Sequence, residues 1–193
     1  MDEDLTGGIN GLDTRTGRSL LQVCAEIRSD GHEPGSAVRR LPIEARLLDL
    51  TAGQPSQYAH LVRIKAPDLR DAQNQRSRIR KISAAARVLV DIEVMVAADA
   101  ASARRRLALL DVNNATPSTI RYVGTPVGLA GLIADISAAQ VADGVTLLPL
   151  VMPDVMEEVI VVSLPWLEGR GLIESAVTSE TVPSSTVVQR NTR

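Results

Sequence analysis

Thr51-Ala52-Gly53-Gln54-Pro55-Ser56 is the run whose residue types come nearest to chemistry. Hydroxyls and a glycine after a candidate strand can turn side-chain oxygens and backbone N–H groups toward a phosphate. Thr51, Gly53 and Ser56 would do the holding. The same residues also make an ordinary turn after a strand. Asp91 and Glu93 are a second candidate. They alternate on one strand face, about 7 Å apart, and a carboxylate whose pKa is raised by burial can do acid–base work. A carboxylate paired with arginine or facing solvent is the commoner case. Cys24 is a lone thiol with no histidine near it in sequence, and a reactive thiol needs a base or a positive field. One cysteine and two histidines, His32 and His60, make neither a disulfide nor a cysteine or histidine metal cage. No metal is expected, and no catalytic residue is named on these grounds.

Such groups need elements to hold them. The chain has 193 residues, with 45% hydrophobic, 23% charged and 2% aromatic, and no phenylalanine. That suits one soluble domain with a core of Leu, Val, Ile and Ala. A formal charge of -2 gives no case for nucleic acid, and base-stacking platforms are missing. Met1-Asp2-Glu3-Asp4 does not open a signal peptide, and no run reaches the roughly 18 apolar residues of a membrane span. A reduced, cytoplasmic setting is expected.

Residues 1–40 read as an irregular segment. Within it Ser19–Ile27 is a helix or a strand, and Leu20, Val23 and Ile27 suit a helix. Ala45–Leu50 and Leu61–Ile64 are strands. A helix opens at Pro67-Asp68 and buries Leu69, Ala72, Ile79, Ile82 and Ala86. Val88–Val96 is the strongest strand, with Val88, Val90, Ile92, Val94 and Val96 on one face and Leu89, Asp91, Glu93 and Met95 on the other. Asp99 caps a helix that buries Ala103, Leu107 and Leu110. Gly124-Thr125-Pro126 opens another, capped by Thr125, with Leu129, Leu132, Ile133 and Ile136 in one stripe. Asp143-Gly144 breaks it, Val145–Leu148 is a short strand, and Pro149 stops it. Asp154 caps a last helix with Met156, Val159, Ile160 and Leu167 inward, ended by a left-handed Gly171. Residues 175–193, rich in Ser, Thr and Val, read as a disordered tail. The domain is 41–174. Four strands alternating with helices are the pattern of an α/β protein with a parallel sheet.

Three motifs in this order resemble the C-terminal half of the bacterial luciferase-like, flavin-dependent monooxygenases, in the nitrilotriacetate monooxygenase branch. They are Tyr122-Val123-Gly124-Thr125-Pro126, Ala142-Asp143-Gly144-Val145-Thr146-Leu147-Leu148-Pro149, and Leu164-Pro165-Trp166-Leu167-Glu168-Gly169-Arg170-Gly171-Leu172. Tyr58-Ala59-His60-Leu61-Val62 adds a family-like strand start. The resemblance implies part of a (β/α)8 barrel, a half TIM barrel holding strands five to eight. A whole barrel takes about 250 residues. It also implies FMN in its reduced state (or a deazaflavin coenzyme), O2, a small organic substrate and a separate flavin reductase. The phosphate-holding role of Thr51, Gly53 and Ser56 rests on this resemblance. So does the expectation that a partner half-barrel or a second copy completes the sheet.

The departures are specific. The loop from Thr51 reaches Tyr58 without room for the helix that the family has there. Gln140 stands where the family usually has glycine, and a left-handed non-glycine residue costs roughly 1–2 kcal/mol. Gly169 stands where a charged residue is common. Two functions follow: a flavin-dependent monooxygenase or its C-terminal fragment, and a non-catalytic truncated relative that acts as an association module.

Overall fold

The structure is a computed structural model that describes residues 20–28, 45–51, 60–110 and 118–174. Most of the irregular N-terminal segment, Gly53, Ser56 and the tail 175–193 lie outside the described residues. Strand β1 is Gln22–Arg28, β2 Ala45–Asp49, β3 Leu61–Ile64, β4 Arg87–Val96, β5 Ile120–Gly124 and β6 Gly144–Pro149. Helix α1 is Leu69–Ile82, α2 Ala100–Ala108 and α3 Pro126–Ala138. Asp154–Glu158 (α4) and Leu164–Glu168 (α5) are joined by a wider turn at Val159–Ser163. Pro165, which has no N–H to give the preceding turn, lies two residues past its end.

The strands make one mixed sheet, in the order β2-β1-β6-β4-β3, with β5 also on β4. It forms a half-barrel with helices. β3 pairs with Arg87–Val90, and β5 pairs further along with Ile92–Val96. Every pairing is parallel except β1 with β2. β6 lies on β4 rather than on β5. The strands therefore do not succeed one another in chain order, as barrel strands do.

The described residues hold six strands where four were expected. Of the two forms open to Ser19–Ile27, the strand is the one formed, over Gln22–Arg28. Its Val23 and Ala25 alternate with Gln22, Cys24 and Glu26, so the strand period outweighs the weak helical spacing of Leu20, Val23 and Ile27. Ile120–Gly124, just ahead of the helix that Gly124-Thr125-Pro126 opens, is a strand that β4 holds by five paired positions.

Helix starts follow capping chemistry. The carboxylate of Asp68 accepts from the Asp71 amide at 2.8 Å, that of Asp99 from Ser102 at 2.8 Å, and the hydroxyl of Thr125 from Gly128 at 3.1 Å. Asp154 does not cap. Pro153 holds the capping position and Asp154 is the first helical residue, where its charge still suits the helix N-terminus. In α1, Ala72 is buried, whereas Ile82 is 89% exposed and Leu69 is exposed too. The expected apolar stripe of α1 therefore reaches past its real contact with the sheet.

The core lies on the sheet face that carries Val23, Ala25, Val88, Val90, Ile92, Val94, Val96, Val145 and Leu147. These residues join Leu129, Ile133 and Ile136 of α3 and Val155, Leu164 and Leu167 of the last helical stretch. Just past α3 and its cap residue Ala139, Gln140 sits at φ 52. Glycine would relieve that left-handed strain but add chain entropy. Gln140→Gly is expected to raise stability by about 0.5–1 kcal/mol, read as a higher urea midpoint with an unchanged slope. An unchanged or lower midpoint would show that the turn is held without strain. Gly171 is left-handed at φ 64, as its place after the last helix requires.

Candidate functional site

The other face of the sheet is polar, and strand register builds it. One row reads Gln22, Gly144, Leu89, Arg63. The next reads Asp49, Cys24, Thr146, Asp91. A third reads Leu148, Glu93, Arg121. Side chains of paired residues point the same way, so the polar groups converge.

Arg63 is the centre of this face. Its Nε donates to Asp91 Oδ1 at 3.0 Å and its Nη2 to Asp91 Oδ2 at 2.9 Å. The same Nη2 donates to Glu26 Oε2 at 2.7 Å. Asp91 is 1% exposed. Burial works to strip the proton from Arg63, but hydrogen bonds to Asp91 and Glu26 outweigh it and hold the guanidinium charged. Further along, Arg121 Nε donates to Glu93 Oε2 at 2.7 Å. Asp91 and Glu93 thus each have an arginine, and neither is poised as a free base. Thr119 donates its hydroxyl to the Asp91 carbonyl.

Asp49 organises the start of the candidate phosphate loop. It accepts from Gln22 Nε2 at 3.0 Å, from the Thr51 amide at 2.9 Å and from Thr51 Oγ1 at 2.6 Å. Both Thr51 donors that could meet a phosphate therefore face a carboxylate, and Thr51 as placed does not fit a phosphate. Burial first, then Asp49, pushes the Cys24 thiol up to about 12, against the opposing pull of Arg63 and Arg87. It is a packed thiol, not a nucleophile. His60 is exposed just before β3. Gln22 Oε1 and Thr146 Oγ1 are buried on this face with no hydrogen-bond partner.

The motifs have structural jobs. Tyr122 Oη donates to the Thr125 carbonyl at 2.9 Å. A Cβ on Gly124 would stand 2.6 Å from that hydroxyl oxygen and one on Gly128 2.2 Å, so the ring lies over the strand-to-helix turn because neither residue has a side chain. At the other end of the strands, Asp143 ties three elements. Its Oδ2 accepts from the Val88 amide at 2.9 Å, and its Oδ1 from Arg76 and Arg80, each at 2.8 Å. Gly144 lets β6 approach β1, since a Cβ there would meet the Gln22 carbonyl oxygen at 2.3 Å. Arg170 stacks on Trp166 at 3.8 Å from the ring centre.

Burial works to raise the Asp143 pKa, but the hydrogen bonds from Arg76, Val88 and Arg80 win and lower it. A depressed folded pKa means stability that is whole above the ordinary carboxylate value near 4 and lost as pH falls through the lower folded value. Asp143→Asn is therefore expected to trail the wild type at neutral pH and to converge on it below about pH 4. Urea midpoints across that range read the effect; a gap that does not change with pH would mean that the charge is not what matters.

The sequence alone did not bring Arg63, Glu26 or Arg121 forward. Their signal was phase: Arg63 alternates with Val62 and Ile64, and Glu26 with Ala25 and Ile27. Among the described residues there is no cluster of metal-ligating side chains, and no helix is long and apolar enough to cross a membrane.

No family model matches the chain, and no curated protein matches it. Solved structures do. The fold is similar to EDTA monooxygenase from Chelativorans sp. BNC1, with a TM-score of 0.52 and 15% identity over 64% of this chain and 43% of that one. It is similar to a riboflavin lyase solved with modified FMN and riboflavin, at 0.51 and 15% over 60% and 40%. A long-chain alkane monooxygenase gives 0.49 and 17% over 60% and 38%. The chain spans about two fifths of the length of these structures. At such identities the likeness is one of fold.

Proposed function

We propose that the chain is a luciferase-like flavin-dependent monooxygenase, or the C-terminal part of one. Its cofactor is reduced FMN, with a deazaflavin coenzyme as the alternative. It uses O2 on a small organic substrate, is served by a flavin reductase, and works in the cytoplasm. The nitrilotriacetate monooxygenase branch and strands five to eight of the barrel belong to the same proposal. One observation carries it: three motifs read from sequence and a fold likeness read from coordinates point to the same kind of protein. When bound, the flavin would supply the electrons that activate oxygen. Thr51 as placed serves Asp49 and not that cofactor.

A phosphate cradle of Thr51, Gly53 and Ser56 requires Thr51 to turn away from Asp49. Removing the Asp49 charge should then help. Asp49→Asn is expected to tighten FMN binding by about 3- to 10-fold, and Ser56→Ala to weaken it by about 10-fold. Riboflavin, which lacks the phosphate, is the control in the same fluorescence titration and should feel neither change. Equal effects on both flavins would sink the cradle. The second reading is a non-catalytic association module or half awaiting a partner half. It is favoured by a polar face whose carboxylates are engaged by arginines and amides of the same chain.

A further inference from the structure

At the end of the sheet where β4 and β6 begin, α1, α3 and the segment after α5 border a cavity of about 630 Å³, a size that takes a small molecule. Its described charged groups are Arg76 and Arg80 from α1, Asp135 from α3, Asp143 ahead of β6, and Arg170. Arg76 and Arg80 each give Nη2 to one atom, Asp143 Oδ1, at 2.8 Å. One carboxylate thus answers two guanidiniums that repel each other across it. Arg80 Nε is buried without a hydrogen-bond partner, so donors outnumber acceptors around the pair. Arg170 is exposed, lies over the Trp166 ring, and pairs with no carboxylate among the described residues. Such stacking orients a guanidinium and leaves its N–H edges open. Leu20, Leu21 and Leu172 supply an apolar wall.

We propose that this cavity binds a small organic oxyanion, a carboxylate or a phosphate ester, whose charged oxygens meet Arg76, Arg80 and Arg170 and whose apolar body rests on the leucines. A guanidinium fork matches either group with two parallel hydrogen bonds. The exposed Asp135 and the carbonyl end of α3 oppose an anion, so the affinity is modest, with a Kd on the order of 1 mM. Barrels and open α/β sheets take substrate at the carboxyl ends of their strands. This cavity is at the other end, so it is an accessory site, and the inference does not rest on the flavin reading.

The test is titration of the full chain with inorganic phosphate and, separately, with succinate, in chloride buffer at fixed ionic strength so that general screening stays constant. Trp166 is the one tryptophan of the chain, so its emission reports on anions that reach Arg170. Calorimetry on the same samples gives the Kd. Saturable binding with a change in Trp166 emission is expected, and the tighter of the two anions tells a phosphate site from a carboxylate site. Arg170→Gln changes an exposed side chain, so it should keep the wild-type circular dichroism and weaken binding by about 10-fold. Asp135→Asn removes an opposing charge and should tighten binding by about 3-fold. No saturation with either anion would overturn the proposal and would mean that carboxylates of the same chain already answer the three arginines. Saturation that neither substitution shifts would overturn it as well, since the anion would then be held elsewhere.

Discussion

Arg63→Met is expected to destabilise the fold by about 3–5 kcal/mol. Asp91 is 1% exposed, and Arg63 gives it two parallel hydrogen bonds. Methionine fills much of the same volume but leaves Asp91 and Glu26 as two neighbouring carboxylates without their shared cation. An unpaired buried charge costs far more than the pair is worth, because desolvation is no longer offset. Arg63→Lys should fall between, since an ammonium cannot make the bidentate contact. The side chain of Arg63 is 30% exposed, so water relieves some of the loss and the lower end of the range is the better estimate. Urea unfolding gives the answer directly. A loss under about 0.5 kcal/mol, the level of an ordinary surface change, would mean that water reaches Asp91 and Glu26 and that Arg63 does not hold them.

Asp143→Ala should be the next most damaging change, by about 2–4 kcal/mol. It removes the acceptor for the Val88 amide and the shared partner of Arg76 and Arg80. The arginines keep carbonyl partners at Gln140 and Ala84, which limits the loss. The start of β4 should then exchange its amide hydrogens faster than β5, which does not depend on Asp143. Uniform loss of protection would instead mean that the clamp contributes to global stability only.

Much of the fold was legible because it rests on local rules. Caps at Asp68, Asp99 and Thr125 and the two-residue period of Val88–Val96 state their own structure. Residues whose role depends on partners distant in sequence were not legible. Glu26 and Arg63 meet only because β1 joins β6 and β4 in the sheet, and nothing within β1 itself announces that. Ile120–Gly124 was hidden by its shortness and by the turn residues that follow it. The candidate site was less legible than the fold. Thr51 looked like a phosphate ligand by residue type, yet Asp49, two positions earlier, accepts from both of its donors. The family-like motifs were visible as strings, but Gly124, Asp143 and Gly144 turn out to hold strand ends and turns together. Sequence strings of this kind carry architecture; they do not by themselves place chemistry.

The proposed flavin binding by this half-barrel can be checked by calorimetry. Its most direct test is a calorimetric titration of the purified full chain with FMN, oxidised and then anaerobically reduced. Saturable binding is expected at about one flavin per chain or per pair of chains, the ratio of a single site. A folded, monodisperse sample that gives no saturation with either form would contradict it, and would leave association as the chain's work.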